Sequence, residues 1–206
     1  MKNKNLVQET IDQLKKYIQT ENFKDGSKLP IEKQLAEKFG VGRSTLREAV
    51  KILEYGGVLE VKQGAGTFVR VGEERSNWRK DLIDVREMLE TTAGKLACEN
   101  RTEADLAVLN QALFTRNRLL AKGNFSEYIQ ADLDFHLLIV KSSKNRFLIQ
   151  WYQEIYTDLK TMLSTLVIDS IDYQDNSNLH QKMFDGILGQ EPAVVVEAIL
   201  ENSRRK

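Results

Sequence analysis

The stretch GVGRSTLREAVKILEYGG, residues 40–57, constrains the fold of this chain more than any other. Its apolar residues recur at i, i+3, i+4 and i+7, so they fall on one side of a 3.6-residue helix, and we predict that this side is buried. These residues are Leu46, Ala49, Val50 and Leu53. Thr45 and Glu48 have the spacing of a capping box, and the glycine pair at 56–57 is expected to end the helix.

Other elements are predicted on both sides of this helix. Apolar residues at helical spacing between Leu6 and Ile18 predict a first helix, and residues 31–39 predict a short second helix that ends at Gly40. Downstream, β-branched runs at 58–61 and 67–71 are joined by KQGAG, whose glycines permit a tight turn. The predicted order is helix, helix, helix, hairpin.

This order is that of a winged helix-turn-helix, a DNA-binding domain that we place at residues 1–71. The N-terminal residues of its third helix reach base edges in the major groove. Arg43 or Arg47 can donate two hydrogen bonds to guanine, and the hydroxyls of Ser44 and Thr45 suit phosphate oxygens or base edges. DNA contact explains these polar side chains better than a merely solvated face does.

The rest of the chain has helical periodicity and no convincing strand pattern. Polar residues 72–78 predict a linker, and residues 79–206 predict six helices in an all-α antiparallel bundle. The predicted helices span 79–100, 103–121, 125–143, 146–168, 176–190 and 192–204. The predicted fold is therefore mainly α, with an N-terminal winged helix-turn-helix of three helices plus a β-hairpin and a C-terminal helical bundle.

Charge is divided unevenly along a chain whose formal net charge is zero. Residues 1–71 carry 13 Lys and Arg against 9 Asp and Glu, whereas the remainder carries 17 against 21. Contact with a polyanion is therefore expected in the first part. Because the sequence has no apolar run of 18 residues and no signal-peptide pattern, we expect a cytoplasmic protein. Cys98 is the only cysteine, which excludes an intrachain disulfide and predicts a small buried residue.

Residues 26–70 resemble the DNA-binding domain of the GntR family of bacterial transcription regulators. The segments LPIEKQLAEKFGVGRSTLREAVKILEYGG and KQGAGTFV follow the family pattern nearly end to end. The family's LPSE is LPIE here and its GVSR is GVGR, so Ile31 and Gly42 replace serines that could serve a helix end. The resemblance implies DNA contacts on two helices and at the hairpin tip. They are Lys33, Arg43, Ser44, Thr45, Arg47, Gln63 and Gly64.

Both histidines of the chain stand in the predicted bundle. Asp132 and His136 are four residues apart on one predicted helix, so both side chains can point into the bundle, and His180 is on another helix. A carboxylate and two imidazoles suit a divalent transition metal such as Zn²⁺ or Ni²⁺. From the residues alone, an intrahelical hydrogen-bonded pair with an unrelated surface His180 remains the alternative.

Residues 79–202 resemble the all-helical FCD effector domain of the FadR subfamily within GntR. The matching segments are DVREMLETTAGKLA, the D-x-x-x-H of residues 132–136, and the run from His180 to Pro192. The resemblance implies a metal held by Asp132, His136 and His180. Many members have a further histidine where this chain has Asn202, whose amide oxygen is a weaker ligand for such metals.

The same resemblance implies an effector-binding residue, Arg86. Its guanidinium would donate two hydrogen bonds to an organic carboxylate, although a simple ion pair with Glu90, four residues on, is an equal alternative. We therefore expect a ligand-responsive DNA-binding transcription regulator. It would act as a homodimer on a palindromic double-stranded operator, as a repressor that a small organic acid releases.

Two other functions compete with this prediction. A metal-dependent hydrolase would need a base and an open coordination site, but the sequence has no HExxH motif, no nucleophile elbow and no other catalytic signature, so we do not expect an enzyme. A DNA-binding protein whose effector pocket has lapsed is the second alternative, and Asn202 is the residue that suggests it.

Overall fold

The N-terminal helices pack their apolar faces against one another. The computed structural model describes residues 2–70, 76–169 and 175–204. Helix α1 spans Lys2–Thr20, α2 spans Glu32–Phe39 and α3 spans Arg43–Tyr55. The predicted stripe of α3 is buried in full, together with Ile52.

The ends of α2 and α3 agree only in part with the sequence. Gly40 follows α2 with φ 66°, in the left-handed region, as expected of a residue that ends a helix. Ile31 and Gly42 are the residues before α2 and α3, and neither provides a side-chain cap. The predicted capping box of Thr45 and Glu48 is wrong, because α3 already begins at Arg43 and Thr45 is its third residue.

A two-stranded antiparallel hairpin follows. Strands β1 (Leu59–Lys62) and β2 (Gly66–Val69) pair with Leu59 opposite Val69 and Lys62 opposite Gly66. β1 lies one residue after the predicted run 58–61, whereas β2 begins one residue before the predicted run 67–71 and ends at Val69; Val71 lies outside the described residues. The connector before α2 lies along β2, because Leu29 N–H donates to the Thr67 carbonyl at 2.8 Å.

The C-terminal part contains seven helices within the described residues, not the predicted six. They are α4 Ser76–Asn100, α5 Glu103–Lys122, α6 Phe125–Ser142, α7 Arg146–Glu154, α8 Tyr156–Asp169, α9 Ser177–Leu188 and α10 Pro192–Ser203. The predicted helix 146–168 is interrupted at Ile155, where no glycine or proline marks the break. Of the predicted linker, residues 72–75 lie outside the described residues, and α4 begins at Ser76.

Helix α6 lies in the middle of the bundle, where it packs against α4, α5, α7 and α8. One hydrophobic cluster continues from α1, α2 and α3 into α4, α6, α7 and α8, so the two parts of the chain share a core. A second cluster joins α4, α5 and α6 to α9 and α10. None of the helices in the described residues is long and apolar enough to cross a membrane.

Candidate DNA-binding surface and buried metal centre

The first turns of α3 present polar side chains to solvent. Arg43, Ser44 and Arg47 are exposed, and Thr45 is half-buried. Since Gly42 offers no side-chain oxygen, the first N–H groups of α3 have no cap of that kind. Such a helix end attracts anions, because unpaired N–H groups and the helix dipole both favour negative charge.

Arg47 already has an anionic partner on α2. Its Nε donates to Glu32 Oε2 at 2.7 Å, and the two side chains are 70% and 38% exposed. An ion pair this open to solvent contributes little to stability, so Arg47 can exchange Glu32 for another acceptor at low cost. Glu32 therefore orients the guanidinium without burying it.

The remaining predicted DNA contacts are also exposed. Lys33 is on the solvent side of α2, and Gln63 and Gly64 form the tip of the hairpin. Gly64 and Gly66 have φ 74° and 119°, in the left-handed region that favours glycine. These residues remain predictions as DNA contacts.

The structure brings the three predicted metal ligands together inside the bundle. Asp132 and His136 come from α6, and His180 comes from α9. His180 Nε2 lies 3.1 Å from Asp132 Oδ1 and 3.1 Å from His136 Nε2, and His136 Nε2 is 3.9 Å from Asp132 Oδ2. All three side chains are buried, so the alternative of a surface His180 is wrong.

A hydrogen bond at Nδ1 of His180, the ring nitrogen directed away from Asp132, fixes the tautomer of His180. Its Nδ1 lies 3.0 Å from the Asn176 carbonyl, which can only accept, so Nδ1 carries the proton and Nε2 presents a lone pair to Asp132 and His136. Ligand histidines in metal sites have this arrangement, with the second ring nitrogen donating to a carbonyl or carboxylate. Burial, with the charge of Arg116 nearby, lowers the pKa of His180 to about 4, which keeps the ring neutral.

His136 cannot satisfy both ring nitrogens in this cluster. Its Nδ1 is 3.1 Å from Glu90 Oε2, and its Nε2 faces the lone pair of His180. An imidazole with one ring proton can donate to only one of the two acceptors around His136, Glu90 Oε2 and His180 Nε2. A cation between Asp132, His136 and His180 would remove this conflict, because it would accept the lone pairs and leave the proton on Nδ1.

Asp132, His136 and His180 fit a divalent ion. Three lone-pair donors converge, and their atoms all lie within 4.8 Å of one another. Ligands that share an ion at about 2.0–2.2 Å in tetrahedral geometry lie about 3.3–3.6 Å apart, and the separations of 3.1 and 3.9 Å lie on either side of that range. The structure therefore contains a possible His and Asp metal site, made of Asp132, His136 and His180.

Asn202 faces the same region but is engaged by another amide. Its Oδ1 accepts a hydrogen bond from Asn176 Nδ2 at 2.8 Å. Asn176 in turn accepts from Arg116, which bonds to Asp132. Asn202 is thus connected to the ligand cluster through two residues, and its role as a fourth ligand remains a prediction.

Arg116 of α5 was not anticipated from the sequence. It is fully buried, its Nε donates to Asp132 Oδ1 at 2.6 Å, and its Nη2 donates to Tyr128 Oη at 3.0 Å. Burial alone would raise the pKa of Asp132, but the Arg116 guanidinium holds it well below its usual range. The signal was present, because Arg116 interrupts the buried apolar stripe of α5, which contains Leu109, Leu113 and Leu120.

Arg86 makes the ion pair with Glu90 that the sequence offered as one of two alternatives, and its role as an effector contact remains a prediction. Its Nε donates to Glu90 Oε1 at 2.7 Å in a buried intrahelical pair, and Tyr152 Oη donates to the same oxygen at 2.7 Å. Burial alone would raise the pKa of Glu90, but Arg86 lowers it to about 2. Within the described residues, Arg86 Nη2 has no hydrogen-bond partner although it is buried, so one donor of the guanidinium is left unsatisfied.

Comparison with known families identifies both parts of the chain. The profile of the FCD domain matches residues 81–203, and the profile of the bacterial regulatory proteins of the gntR family matches residues 6–69. The HTH-type transcriptional regulator LutR of Bacillus subtilis is 36% identical over 144 residues, which are 64% of this chain and 65% of that protein. The Uxu operon regulator of Haemophilus influenzae is 34% identical over 69% of this chain and 56% of its own length.

The Glc operon transcriptional activator of Escherichia coli matches a longer part of the chain, with 28% identity over 87% of this chain and 74% of that protein. The chain spans only 56% to 65% of the length of LutR and the Uxu operon regulator. The relatives are transcription regulators and not enzymes, in agreement with the expectation that this chain is not an enzyme.

Solved structures share the fold over nearly the whole chain. Streptococcus agalactiae GntR has a TM-score of 0.52 at 25% identity and covers 96% of this chain and 97% of its own. E. coli McbR/YncC has a TM-score of 0.58 at 22% identity, with coverage of 97% and 93%. Since the FCD profile alone covers more than half of the chain and the gntR profile covers the rest of its helices and hairpin, the chain belongs to the GntR family of bacterial regulatory proteins and carries an FCD domain.

Proposed function

We propose that this chain is a ligand-responsive transcription regulator of the FadR type, and that it binds double-stranded DNA through α3 and the hairpin tip. The observation that supports this most is the exposed group of Arg43, Ser44 and Arg47 on the first turns of α3. Each arginine can read a guanine in the major groove, and Ser44 and Thr45 bind phosphate or base edges. Lys33 and the hairpin residues Gln63 and Gly64 add contacts to the DNA backbone or an adjacent groove.

A single recognition helix of this kind reads few bases, so specificity needs two copies. We propose a homodimer that places two α3 helices on the half-sites of a palindromic operator, one helical turn or a multiple apart. The symmetry of the protein then appears in the DNA sequence that it selects.

The effector is proposed to be a small organic acid that binds at the buried cluster. Asp132, His136 and His180 would hold a divalent transition metal, with Asn202 or water completing the ligand set. When bound, the ion would offer open coordination positions to carboxylate oxygens. Arg86 would pair with the same acid through its free Nη2, since that group is buried without a partner in the described residues.

Effector binding is proposed to release the protein from its operator, which makes it a repressor. Release requires that the acid binds more tightly to one arrangement of the DNA-binding parts than to the other. Arg86, which would pair with the acid and belongs to the bundle core, is placed to create that difference.

The experiment that tests DNA recognition is selection from random duplexes. Wild-type protein is expected to enrich a palindrome with two equal half-sites, and sedimentation of the complex is expected to give two protein chains per duplex. Enrichment of no common sequence, or a single chain on a single half-site, would contradict the proposal. Thermal-shift screening with Zn²⁺ or Ni²⁺ and small carboxylic acids then tests the effector site.

A further inference from the structure

Glu48 lies next to Arg47 on α3, but its side chain bonds to the bundle and not to its own helix. Its Oε1 accepts from the backbone N–H of Ser126 at 2.5 Å, and its Oε2 accepts from the Ser126 hydroxyl at 2.7 Å. Ser126 is 1% exposed, so both hydrogen bonds are shielded from water at that end. A carboxylate whose two oxygens accept hydrogen bonds from two donors of one residue is held in one orientation.

This contact replaces a missing helix cap. Ser126 is the second residue of α6, and Asn124, the residue before that helix, makes no side-chain cap hydrogen bond. The N–H of Ser126 is one of the first N–H groups that a helix cannot pair internally. Glu48 pairs it from a distant part of the chain, and its negative charge is favourable at this end of the helix.

A second contact connects the C-terminal end of α3 to the same region. Lys160 of α8 places its Nζ 3.8 Å from the centroid of the Tyr55 ring, and Tyr55 is the last residue of α3. The same Nζ donates to Gln130 Oε1 of α6 at 3.1 Å. Ser126 and Gln130 are four residues apart and so lie on one face of α6. The middle of the recognition helix, through Glu48, and its last residue, through Tyr55 and Lys160, are therefore connected to one face of α6.

The helix so connected also carries two proposed metal ligands. Asp132 is six residues beyond Ser126, a rise of about 9 Å along a continuous helix, and His136 follows one turn later. An ion held between Asp132, His136 and His180 would fix the position of α6 relative to α9, and that of Ser126 with it, because the intervening residues belong to one helix. Glu48 would then pass that constraint on to α3.

We infer that Glu48 is a positioning residue whose bond to Ser126 couples occupancy of the Asp132, His136 and His180 cluster to the placement of the recognition helix on DNA. The inference rests on the proposed function, since it links the two proposed binding sites. Coupling of this kind is reciprocal: metal changes the affinity for DNA by the same factor as DNA changes the affinity for metal.

The test measures that factor directly in the full chain. The DNA probe is a duplex that the wild-type protein selects from a random pool, and the ligand is Zn²⁺ alone. The apparent dissociation constant of the duplex is measured by fluorescence anisotropy with and without saturating Zn²⁺, and that of Zn²⁺ is measured by indicator competition with and without duplex. We expect the wild type to give equal factors in the two titrations, on the order of 5 or more.

Glu54→Ala is a matched control for Glu48→Ala. Glu54 is also a half-buried glutamate of α3 that accepts a backbone hydrogen bond, but from Val61 of β1, within the DNA-binding part. We expect Glu48→Ala to bind both Zn²⁺ and DNA with a coupling factor near 1, and Glu54→Ala to keep the wild-type factor. If Glu48→Ala does not fold, judged by circular dichroism, Glu48→Gln serves instead, and its single remaining carbonyl oxygen should give an intermediate factor.

The possible results separate this inference from the proposed function. A wild-type protein that binds both Zn²⁺ and DNA with a factor of 1 would overturn the coupling and leave both sites intact. So would a Glu48→Ala variant that keeps the wild-type factor, or an equal loss in Glu54→Ala. Failure of the wild type to bind Zn²⁺ at all would instead contradict the metal site, and the coupling with it.

Discussion

Arg116 Nε lies 2.6 Å from Asp132 Oδ1, so a fully buried guanidinium bonds directly to a proposed metal ligand. Arg116 compensates the charge of Asp132 when no ion is bound, and it would lie close to an ion when one is bound. Stability and metal affinity are therefore expected to depend on this residue in opposite ways.

Arg116→Met is expected to destabilise the protein by about 3–5 kcal/mol, because it leaves Asp132 buried without its cation. Zn²⁺ should restore more stability to this variant than to the wild type, since the ion supplies the missing positive charge. Urea unfolding with and without Zn²⁺ measures both effects. Arg118→Met, two residues away on the exposed side of α5, is the control and should change little. Equal effects of Zn²⁺ on wild type and Arg116→Met would contradict the prediction.

Arg43→Ala and Arg47→Ala are each expected to lose about 1–3 kcal/mol of binding to the selected duplex, with a smaller loss on random DNA. The reason is that each side chain is placed to read a base and not only a phosphate. Anisotropy titrations on both DNAs at one salt concentration provide the comparison. Losses of the same size on the two DNAs would show that these arginines do not read bases.

Asn202→His is expected to strengthen Zn²⁺ or Ni²⁺ binding, because imidazole is a better ligand for these ions than an amide oxygen. His136→Ala removes a proposed ligand and is the opposite control. Metal content is measured on protein purified without chelator and without a nickel resin. Equal and negligible metal in the wild type and in His136→Ala would end the metal hypothesis and leave Arg86 as the proposed effector contact.

Gly186→Ala is expected to destabilise the bundle by about 1–3 kcal/mol, as overpacking does. A methyl group there would lie 2.7 Å from Val195 Cγ2 and 3.2 Å from the Val195 backbone nitrogen, so α9 and α10 would have to separate. Gly42→Ala, whose methyl group would meet nothing closer than 3.8 Å, is the matched control. Thermal unfolding of the two variants should differ clearly, and similar midpoints would contradict this close approach.

Asp105 gives the stability a pH dependence. It forms a capping box with Thr102 at the start of α5 and accepts from Lys144 Nζ at 2.6 Å. Burial alone would raise the pKa of Asp105, but these hydrogen bonds lower it. A lowered pKa means that the stabilisation is complete above the unfolded-state value of about 3.9 and is lost as the pH falls through the folded-state value.

Asp105→Asn should therefore cost about 1 kcal/mol at pH 7 and progressively less as the pH falls below about 4. Urea unfolding of wild type and variant at both ends of this range measures the difference. A difference that stays constant, or grows toward acid pH, would show that the carboxylate charge is not the source of the stabilisation.

Local periodicity was enough to predict α3, the hairpin and most of the bundle, because each depends on apolar spacing and on glycines that end helices. It could not predict the break at Ile155, since no glycine or proline is present there. The ligand cluster was predicted through Asp132 and the two histidines, whereas Arg116 was missed although a charge inside an apolar stripe indicated it. The partner of Glu48 is 78 residues away, and no local pattern reveals such a pairing.

The hydrophobic cluster that continues from α1 and α3 into α6 and α8 also affects how such a protein can be recombined. In a fusion protein that combines the DNA-binding part of one chain with the bundle of another, the apolar surface of α1 and α3 would pack against a bundle surface that does not match it. A chimera that takes residues 1–70 alone would leave that surface exposed to water, at a cost of about 25 cal/mol for each Å² no longer buried. Functional exchange of operator specificity is therefore expected to require transfer of the outward face of α8 along with the DNA-binding segment, or to be limited to substitutions on the first turns of α3.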